Sequence, residues 1–166
     1  MLLASQIIDP RSDCTLVLVT NQGATANKYF FEINRHGDRS ALTVWRSSGT
    51  RVSYTLADAS SGLGASNIEQ PTTAAAKHFL ALRRESGVWM LSVDGTTWTR
   101  ATVSADTFTT SGTVETVIGC GWANGAGAYW NHADVDYYAI ASVRSIALPV
   151  AQIHAAWKYL KTRHTF

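Results

Sequence analysis

The sequence has few cysteines and few charged side chains, and each shortage excludes a class of protein. Only two cysteines, Cys14 and Cys120, occur in 166 residues, and they lie far apart. A small secreted domain that is stapled by disulfides carries many more. We therefore predict two buried thiols, with a disulfide between them as the alternative. No cluster of cysteine and histidine has the spacing of a zinc site.

Charged residues are also scarce, at 16% of the chain. Fourteen Lys and Arg against twelve Asp and Glu give a net charge of +2, and the cations are scattered. Nucleic-acid-binding proteins concentrate cations in a stripe, so we predict no nucleic-acid partner.

Long apolar runs are absent as well, so we predict no membrane insertion. The first residues, MLLASQIIDPRSD, lack the basic start and the apolar core of a secretion signal. We expect the protein to be made in the cytoplasm and to stay in solution.

The residues that are abundant favour strands. Apolar residues make up 46% of the chain, and threonine, valine, serine and glycine are frequent. A chain of 166 residues suits one domain, residues 1–166, that buries about 70% of its unfolded surface. About ten short strand patterns with turn signals between them indicate an all-β sandwich.

The strongest pattern is a hairpin between His78 and Gly95. Two apolar runs of strand length, His78–Arg84 and Val88–Val93, flank the turn residues Glu85-Ser86-Gly87. Along the second run, Trp89 and every second residue after it are apolar and share one face. We predict that the Trp89 ring is buried in the middle of a sheet.

The other patterns complete the predicted architecture. Further strands are predicted at Leu2–Ile8, Cys14–Thr20, Lys28–Asn34, Ala41–Arg46, Arg51–Leu56, Thr96–Val103, Val114–Cys120 and Val135–Ile146. The segment Ala57–Ala76 is rich in small residues and is predicted to be a long surface connection. After Pro149, Ile153, Trp157 and Leu160 recur at helical spacing, which predicts a helix that covers one end of the sandwich.

These features resemble those of one fold family. A strand that opens with His78, a short turn, an apolar strand and then Val93-Asp94-Gly95 resembles the central hairpin of concanavalin A-like (laminin G-like) domains. The aromatic-rich last strand and the single helix after Pro149 resemble the end of those domains. The resemblance covers residues 78–166 by motif and the first half by strand count. It implies a concanavalin A-like jelly-roll β-sandwich with one short C-terminal helix.

Catalytic patterns are incomplete. Glucanases of the resembled family use Glu-x-Asp followed by a second Glu on one face of a strand. The nearest match is Glu32-Ile33-Asn34, where Asn34 stands in place of the aspartate. No Gly-x-Ser-x-Gly elbow is present. The segment from Ser92 to Trp98 resembles a single Asp-box, and we interpret it as a plain turn in which Asp94 accepts backbone N–H bonds. We predict that the protein is not an enzyme.

A binding site is predicted in the glycine-rich segment before the last strand. Its aromatic rings can stack on sugars and its polar groups can bond hydroxyls. The candidate residues are Trp122, Asn124, Tyr129, Trp130, Asn131, His132 and Asp134. No cofactor is predicted, although Asp134 and Asp136 would suit Ca²⁺ as an alternative. In a further alternative, Trp122 and Trp130 only fill the edge of the sandwich.

Three functions follow from these features. Small members of the resembled family without signal peptide or catalytic carboxylates resemble bacteriophage surface proteins. This favours a virion protein that decorates a capsid or belongs to a tail fibre, with capsid or tail proteins as partners and a host glycan or a homo-oligomer as further options. A free lectin for cell-surface glycan is the alternative, and a glycan hydrolase with an unfamiliar site is the third hypothesis.

Overall fold

A computed structural model describes residues 2–3, 7–8, 12–22, 28–35, 41–48, 51–56, 66–72, 76–100, 114–119, 121–123, 128–130 and 135–164. Within them lie thirteen strands and one helix. In chain order these are β1 (Leu2–Leu3), β2 (Cys14–Gln22), β3 (Lys28–Arg35), β4 (Ala41–Ser48), β5 (Arg51–Leu56), β6 (Ser66–Pro71), β7 (Lys77–Glu85), β8 (Val88–Ser92), β9 (Thr99–Arg100), β10 (Val114–Ile118), β11 (Gly121–Ala123), β12 (Ala128–Trp130), β13 (Val135–Arg144) and α1 (Val150–His164).

The strands form two large antiparallel sheets. One has six strands in the order β1-β10-β3-β4-β5-β6, and the other has five in the order β13-β2-β7-β8-β9. A separate two-stranded ribbon joins β11 to β12. The predicted all-β sandwich with one C-terminal helix is therefore confirmed. No helix within the described ranges is long and apolar enough to cross a membrane.

The main core lies between the two sheets. Both sheets contribute to it, with Cys14, Leu16, Leu18, Leu80, Leu82, Trp89, Leu91 and Val93 from one, and Phe30, Phe31, Val44, Val52 and Ile118 from the other. Trp89 is 1% exposed, so its predicted burial in the central hairpin is confirmed. Alternation along β8 carries Leu91 and the following Val93 to the same face, as the pattern predicts.

The turn of the central hairpin is shorter than predicted. Glu85 pairs directly with Val88, which leaves a two-residue turn at Ser86-Gly87. Both turn residues have positive φ, 49° and 80°, as a type I′ turn requires. The backbone N–H of Ser86 donates to Asp13 Oδ1 at 2.8 Å, which joins this turn to the start of β2.

The helix covers a face of the five-stranded sheet, and the prediction that it covers one end of the sandwich is wrong. Ile153 is buried, and Trp157 and Leu160 pack with it on an outer cluster of β2 and β7. That cluster consists of Val17, Val19, Phe79 and Ala81. Since successive residues of β2 and β7 point to opposite faces, both strands bury one face in each core.

The connection from β13 to the helix is held by two hydrogen bonds to one residue. Arg83 Nε donates to the carbonyl oxygen of Leu148 at 2.7 Å. The N–H of Leu148 donates to Thr15 Oγ1 at 2.9 Å. Both partners belong to the sheet that the helix covers, so the start of the helix is fixed to that sheet.

Two predicted segments differ from the structure. Part of the predicted connection Ala57–Ala76 is a strand, because β6 pairs with β5 over its whole length. The partner strand β5 supplies the backbone hydrogen bonds that make this polar segment a strand. Pro71 stands at its end on a sheet edge, where a missing N–H is tolerated. The predicted strand Thr96–Val103 shrinks to Thr99–Arg100 among the described residues.

Cys14 is buried as predicted, and Cys120 lies outside the described ranges.

At Gly95, the backbone of the turn after β8 lies very close to the helix. The φ of Gly95 is +74°, and a Cβ built on it would lie 2.8 Å from Trp157 Cβ. Gly119 has a similar φ of +82°, but its nearest neighbour would be 3.8 Å away, on the ring of Tyr137. The two glycines therefore share the backbone constraint and differ in the space around them.

We expect Gly95→Ala to destabilise the protein more than Gly119→Ala. The positive φ costs about 1–2 kcal/mol at either site, and overpacking against Trp157 adds about 1–3 kcal/mol at Gly95 alone. Urea unfolding of both variants measures the difference. Equal losses of unfolding free energy would show that the helix can shift at Trp157 without a measurable cost.

Candidate functional site

A cleft of about 460 Å³ opens where β6, the edge of the six-stranded sheet, faces the β8–β9 edge of the other sheet. Most of the residues that line it are polar, and they come from β6, β7, β9 and the turn before β9. The lining residues are Gln70, Pro71, Thr72, His78, Val93, Asp94, Thr97 and Thr99.

Gln70 holds the two edges together at the base of this cleft. It is 4% exposed. Its Nε2 lies 3.0 Å from each of three acceptors, the carbonyl oxygens of Leu91 and Thr97 and Thr99 Oγ1, which share its two hydrogens. Its Oε1 accepts the N–H of Val93 at 3.2 Å. One side chain thus satisfies backbone groups of a sheet with which β6 shares no ladder.

The network also fixes the orientation of the amide. A flipped Gln70 would set its oxygen against two carbonyl oxygens and its NH₂ against the N–H of Val93. Only the observed orientation matches donors with acceptors. The side chain therefore positions the segment that runs from Val93 to Thr99, which forms one wall of the cleft.

A buried arginine lies beside Gln70. The register places Arg46, Val52 and Gln70 in one row across three strands, and all three side chains are buried. Arg46 Nη1 donates to Thr72 Oγ1, a lining residue, at 3.3 Å. Burial lowers the pKa of Arg46 from its ordinary value. The guanidinium has no exposed surface, so it stabilises the cleft from the interior of the sandwich.

Asp94 stands at the rim of the cleft in a tight turn. Its Oδ1 accepts the N–H groups of Thr96 and Thr97, each at 2.8 Å, and the hydroxyl of Ser92 at 3.2 Å. Burial alone would raise the pKa of Asp94, but the bonds from Thr97 and Thr96 outweigh it and hold the pKa below its ordinary value. These backbone bonds are those of the plain turn that the sequence indicates.

The predicted aromatic site falls partly within the described residues. Trp122 is the register partner of Tyr129, and Gly121 is the register partner of Trp130, in the ribbon β11–β12. Asn124, Asn131, His132 and Asp134 lie outside the described ranges, so their contact with one another stays a prediction.

The ribbon and the cleft lie at the same end of the six-stranded sheet. Before the ribbon, the N–H of Gly119 donates to the carbonyl oxygen of Phe30, near the start of β3. The start of β3 pairs with the end of β4, and this row continues to the end of β6, where Gln70 lies. The strands β4 and β5 separate the two places, a distance of roughly 15 Å at the usual strand spacing.

The strand register also relates two glutamates that are distant in sequence. Asn34 pairs with Glu115, and Glu32 pairs with Val117, on the neighbouring strands β3 and β10. Glu32 and Glu115 are therefore diagonal neighbours in the ladder. The sequence alone does not show this relation. Within the described part of the chain, no group of three or more His, Cys, Asp or Glu residues is arranged to hold a metal ion.

The sequence pattern does not reveal the cleft. Gln70 lies in a segment predicted to be a connection, and its hydrogen-bond partners lie 21 to 29 residues away. The one available signal was Asp94 in its turn, which the sequence identified as structural. Thr72 and His78 carry no local pattern that marks a site.

We expect Gln70→Met, which keeps the length and removes the amide, to cost about 1–3 kcal/mol. The reason is that the buried N–H of Val93 would lose its acceptor, and the carbonyls of Leu91 and Thr97 would lose a donor. Gln152→Met, on an exposed turn of α1, is the matched control and should change stability by less than about 0.5 kcal/mol. Denaturant titration of both variants gives the comparison, and equal effects would remove Gln70 from this role.

We expect the stabilising contribution of Asp94 to depend on pH in one direction. Its folded pKa lies below the ordinary value of 3.8, so the unfolded chain binds the proton more readily. The contribution is therefore fully present above that value and is lost as pH falls through the lower, folded value. The difference in unfolding free energy between the native chain and Asp94→Asn should be constant from about pH 6 to 8 and shrink below about pH 4. A difference that grows in acid would contradict this assignment.

Comparison with known proteins yields fold relatives only. No family model matches the chain, and no curated protein matches it. Among solved structures, the CBM40 module of a Ruminococcus gnavus sialidase bound to α2,3-sialyllactose superposes with a TM-score of 0.65 at 12% identity, covering 87% of this chain and 82% of that one. The binding domain of botulinum neurotoxin DC in complex with SialylT gives 0.60 at 10%, covering 90% and 36%.

A Trypanosoma rangeli sialidase in complex with 2,3-difluoro-KDN gives a TM-score of 0.60 at 14% identity. There the match covers 93% of this chain and only 23% of the sialidase. At such identities the superposition establishes a shared fold. The chain thus shares the β-sandwich fold of these domains.

Proposed function

We propose that this protein is a non-catalytic glycan-binding module whose ligand lies in the cleft above Gln70. The observation that carries the proposal is the fold, which matches a sialyllactose-bound module over most of both chains. This supports the lectin hypothesis of the sequence more than the virion hypothesis.

The cleft has the properties of a small-ligand site. Its volume of about 460 Å³ falls in the usual range for such sites, roughly 300–1,000 Å³. Pro71 and Val93 offer apolar surface, while Asp94, Thr97 and His78 offer polar groups. Because Gln70 and the Asp94 turn fix the wall, these groups are oriented before a ligand arrives, which lowers the cost of binding.

The aromatic ribbon would extend this surface. Trp122, Tyr129 and Trp130 belong to a ribbon at the same end of the sandwich, and aromatic rings suit the apolar faces of sugars. In this proposal the predicted polar residues of that segment would bind further sugar units. No calcium or other cofactor is part of the proposal.

The proposal includes no catalysis. The pattern Glu32-Ile33-Asn34 lacks the aspartate of the resembled glucanases, and the register leaves Glu115 as the available second carboxylate. Purified protein should release no reducing ends from a polysaccharide panel. Release that is lost in both Glu32→Gln and Glu115→Gln would establish a hydrolase instead.

A glycan array tests binding and location together. We expect wild-type protein to bind, and His78→Ala in the cleft to weaken binding about tenfold, the effect of one lost oriented contact. Trp130→Ala tests the ribbon. Tyr159→Ala, an exposed position on the far side of α1, is the matched control and should bind as wild type does.

The variants separate the candidate surfaces. A loss with His78→Ala places the ligand in the cleft, whereas a loss with Trp130→Ala alone places it at the ribbon that the sequence predicts. The absence of binding by folded wild-type protein to every glycan would refute the proposed function.

Other parts of the sequence interpretation stay predictions. They are the place on a bacteriophage particle, the capsid or tail partners, the homo-oligomer, the concanavalin A-like family and the single domain of residues 1–166. Recovery of the protein inside purified particles would support the virion role.

A further inference from the structure

The charge at the cleft differs from what an acidic sugar requires. Of the residues that line it, Asp94 carries the fixed charge, and it is exposed at the rim. The bonds to its Oδ1 keep it ionised at neutral pH. No lysine or arginine is among the lining residues that the structure describes.

Two cations near the cleft, Arg46 and Lys77, face other groups. Arg46 reaches Thr72 but has no exposed surface. Lys77 precedes His78, yet its Nζ donates to the carbonyl oxygen of His164 at 3.0 Å and lies 4.6 Å from the ring centre of Tyr138. Neither ammonium nor guanidinium is therefore placed to meet a ligand carboxylate.

Arg100 follows the lining residue Thr99 but belongs to the opposite face of β9. Strand alternation separates the two side chains. Its register partner is Met90, and its charge acts on Glu85, at the turn end of the central hairpin. It contributes no direct contact to the cleft.

The segments that adjoin the cleft strands in the sequence also lack cations. Residues 57–65, 73–75 and 101–113 adjoin β6, β7 and β9 in the chain. They contain no lysine or arginine and contain Asp58 and Asp106. The chain thus supplies no cation from these segments to offset Asp94.

Asp94 is also arranged to accept from hydroxyl groups. Two backbone N–H groups and the hydroxyl of Ser92 fix the carboxylate through Oδ1, and the hydroxyls of Thr96 and Thr97 also bond the carboxylate. An ionised carboxylate accepts only, so at an exposed rim it suits the O–H donors of a sugar and repels a carboxylate or sulfate.

We propose that the cleft binds neutral, hydroxyl-rich glycans and discriminates against sialylated ones, with Asp94 as the selecting residue. This inference rests on the proposed function and concerns the same site. It predicts a ligand of different charge from the sialyllactose bound to the Ruminococcus gnavus module of the same fold.

Paired glycans that differ only in the acidic sugar provide the test. Binding of purified protein is measured on a panel of neutral glycans, lactose included, each beside its α2,3- and α2,6-sialylated form. We expect each bound neutral glycan to bind about tenfold or more tightly than its sialylated partner. The ratio should fall when ionic strength rises from about 0.01 M to about 1 M, because salt screens the repulsion.

Two variants assign the effect to the cleft. Asp94→Asn removes the charge, and we expect it to reduce the discrimination about tenfold. Thr97→Lys adds an ammonium at an exposed lining position and keeps the Asp94 carboxylate, and it should shift preference toward sialylated forms. Thermal melts confirm that each variant folds.

The outcomes are distinct. Equal or tighter binding of sialylated glycans by wild type overturns the inference and leaves the glycan-binding function standing. An unchanged ratio in both variants also overturns it, because the selection would then lie elsewhere. Binding to neither class overturns the proposed function, and the inference with it.

Discussion

The burial of both faces of β2 and β7 is the constraint on which the rest of the structure depends. Along β2, Leu16 and Leu18 enter the core between the sheets, while Val17 and Val19 enter the core under the helix. Strands with two apolar faces must be covered twice. The six-stranded sheet covers one face and α1 covers the other, so both are held by the same pair of strands. The bond that Leu148 accepts from Arg83 and the bond that it donates to Thr15 then fix where the helix begins.

One end of the sandwich interior is polar, and the cleft lies there. Thr20, Arg46 and Gln70 are buried at this end. In the middle of the sheets, the buried residues of the same strands are apolar, as at Leu18 and Val44. Two stacked sheets share no backbone hydrogen-bond ladder, so side-chain contacts alone determine how closely their edges approach. Gln70 does this through an amide that contacts four polar groups of the other sheet, and leaving a buried amide half-satisfied would be worse than an apolar contact. The polar interior therefore has a structural reason that also creates an oriented wall.

The sequence predicted the parts of the fold whose signal is local. The run around Trp89 and the helical spacing of Ile153 and Trp157 each determine burial within one element, and the structure confirms both. The strand β6 has the sequence SNIEQP, which is polar and becomes a strand because β5 offers a ladder. The cleft could not be predicted for the same reason, since Gln70 acquires its role from groups on β8 and β9. The aromatic segment was predicted from composition, and the structure adds the pairing of Trp122 with Tyr129.

A shared backbone does not determine what a sandwich of this kind binds. A TM-score of 0.65 at 12% identity means that the strand paths persist while nearly all side chains differ. Ligand chemistry then depends on a few turn residues, provided that the turns are held rigidly. Here the turn from Val93 to Thr97 is held by Gln70 on one side, and Gly95 lies against Trp157 of the helix on the other. The helix thus contributes to the cleft without lining it, and a change of one turn residue can alter the charge of the cleft while the fold stays the same.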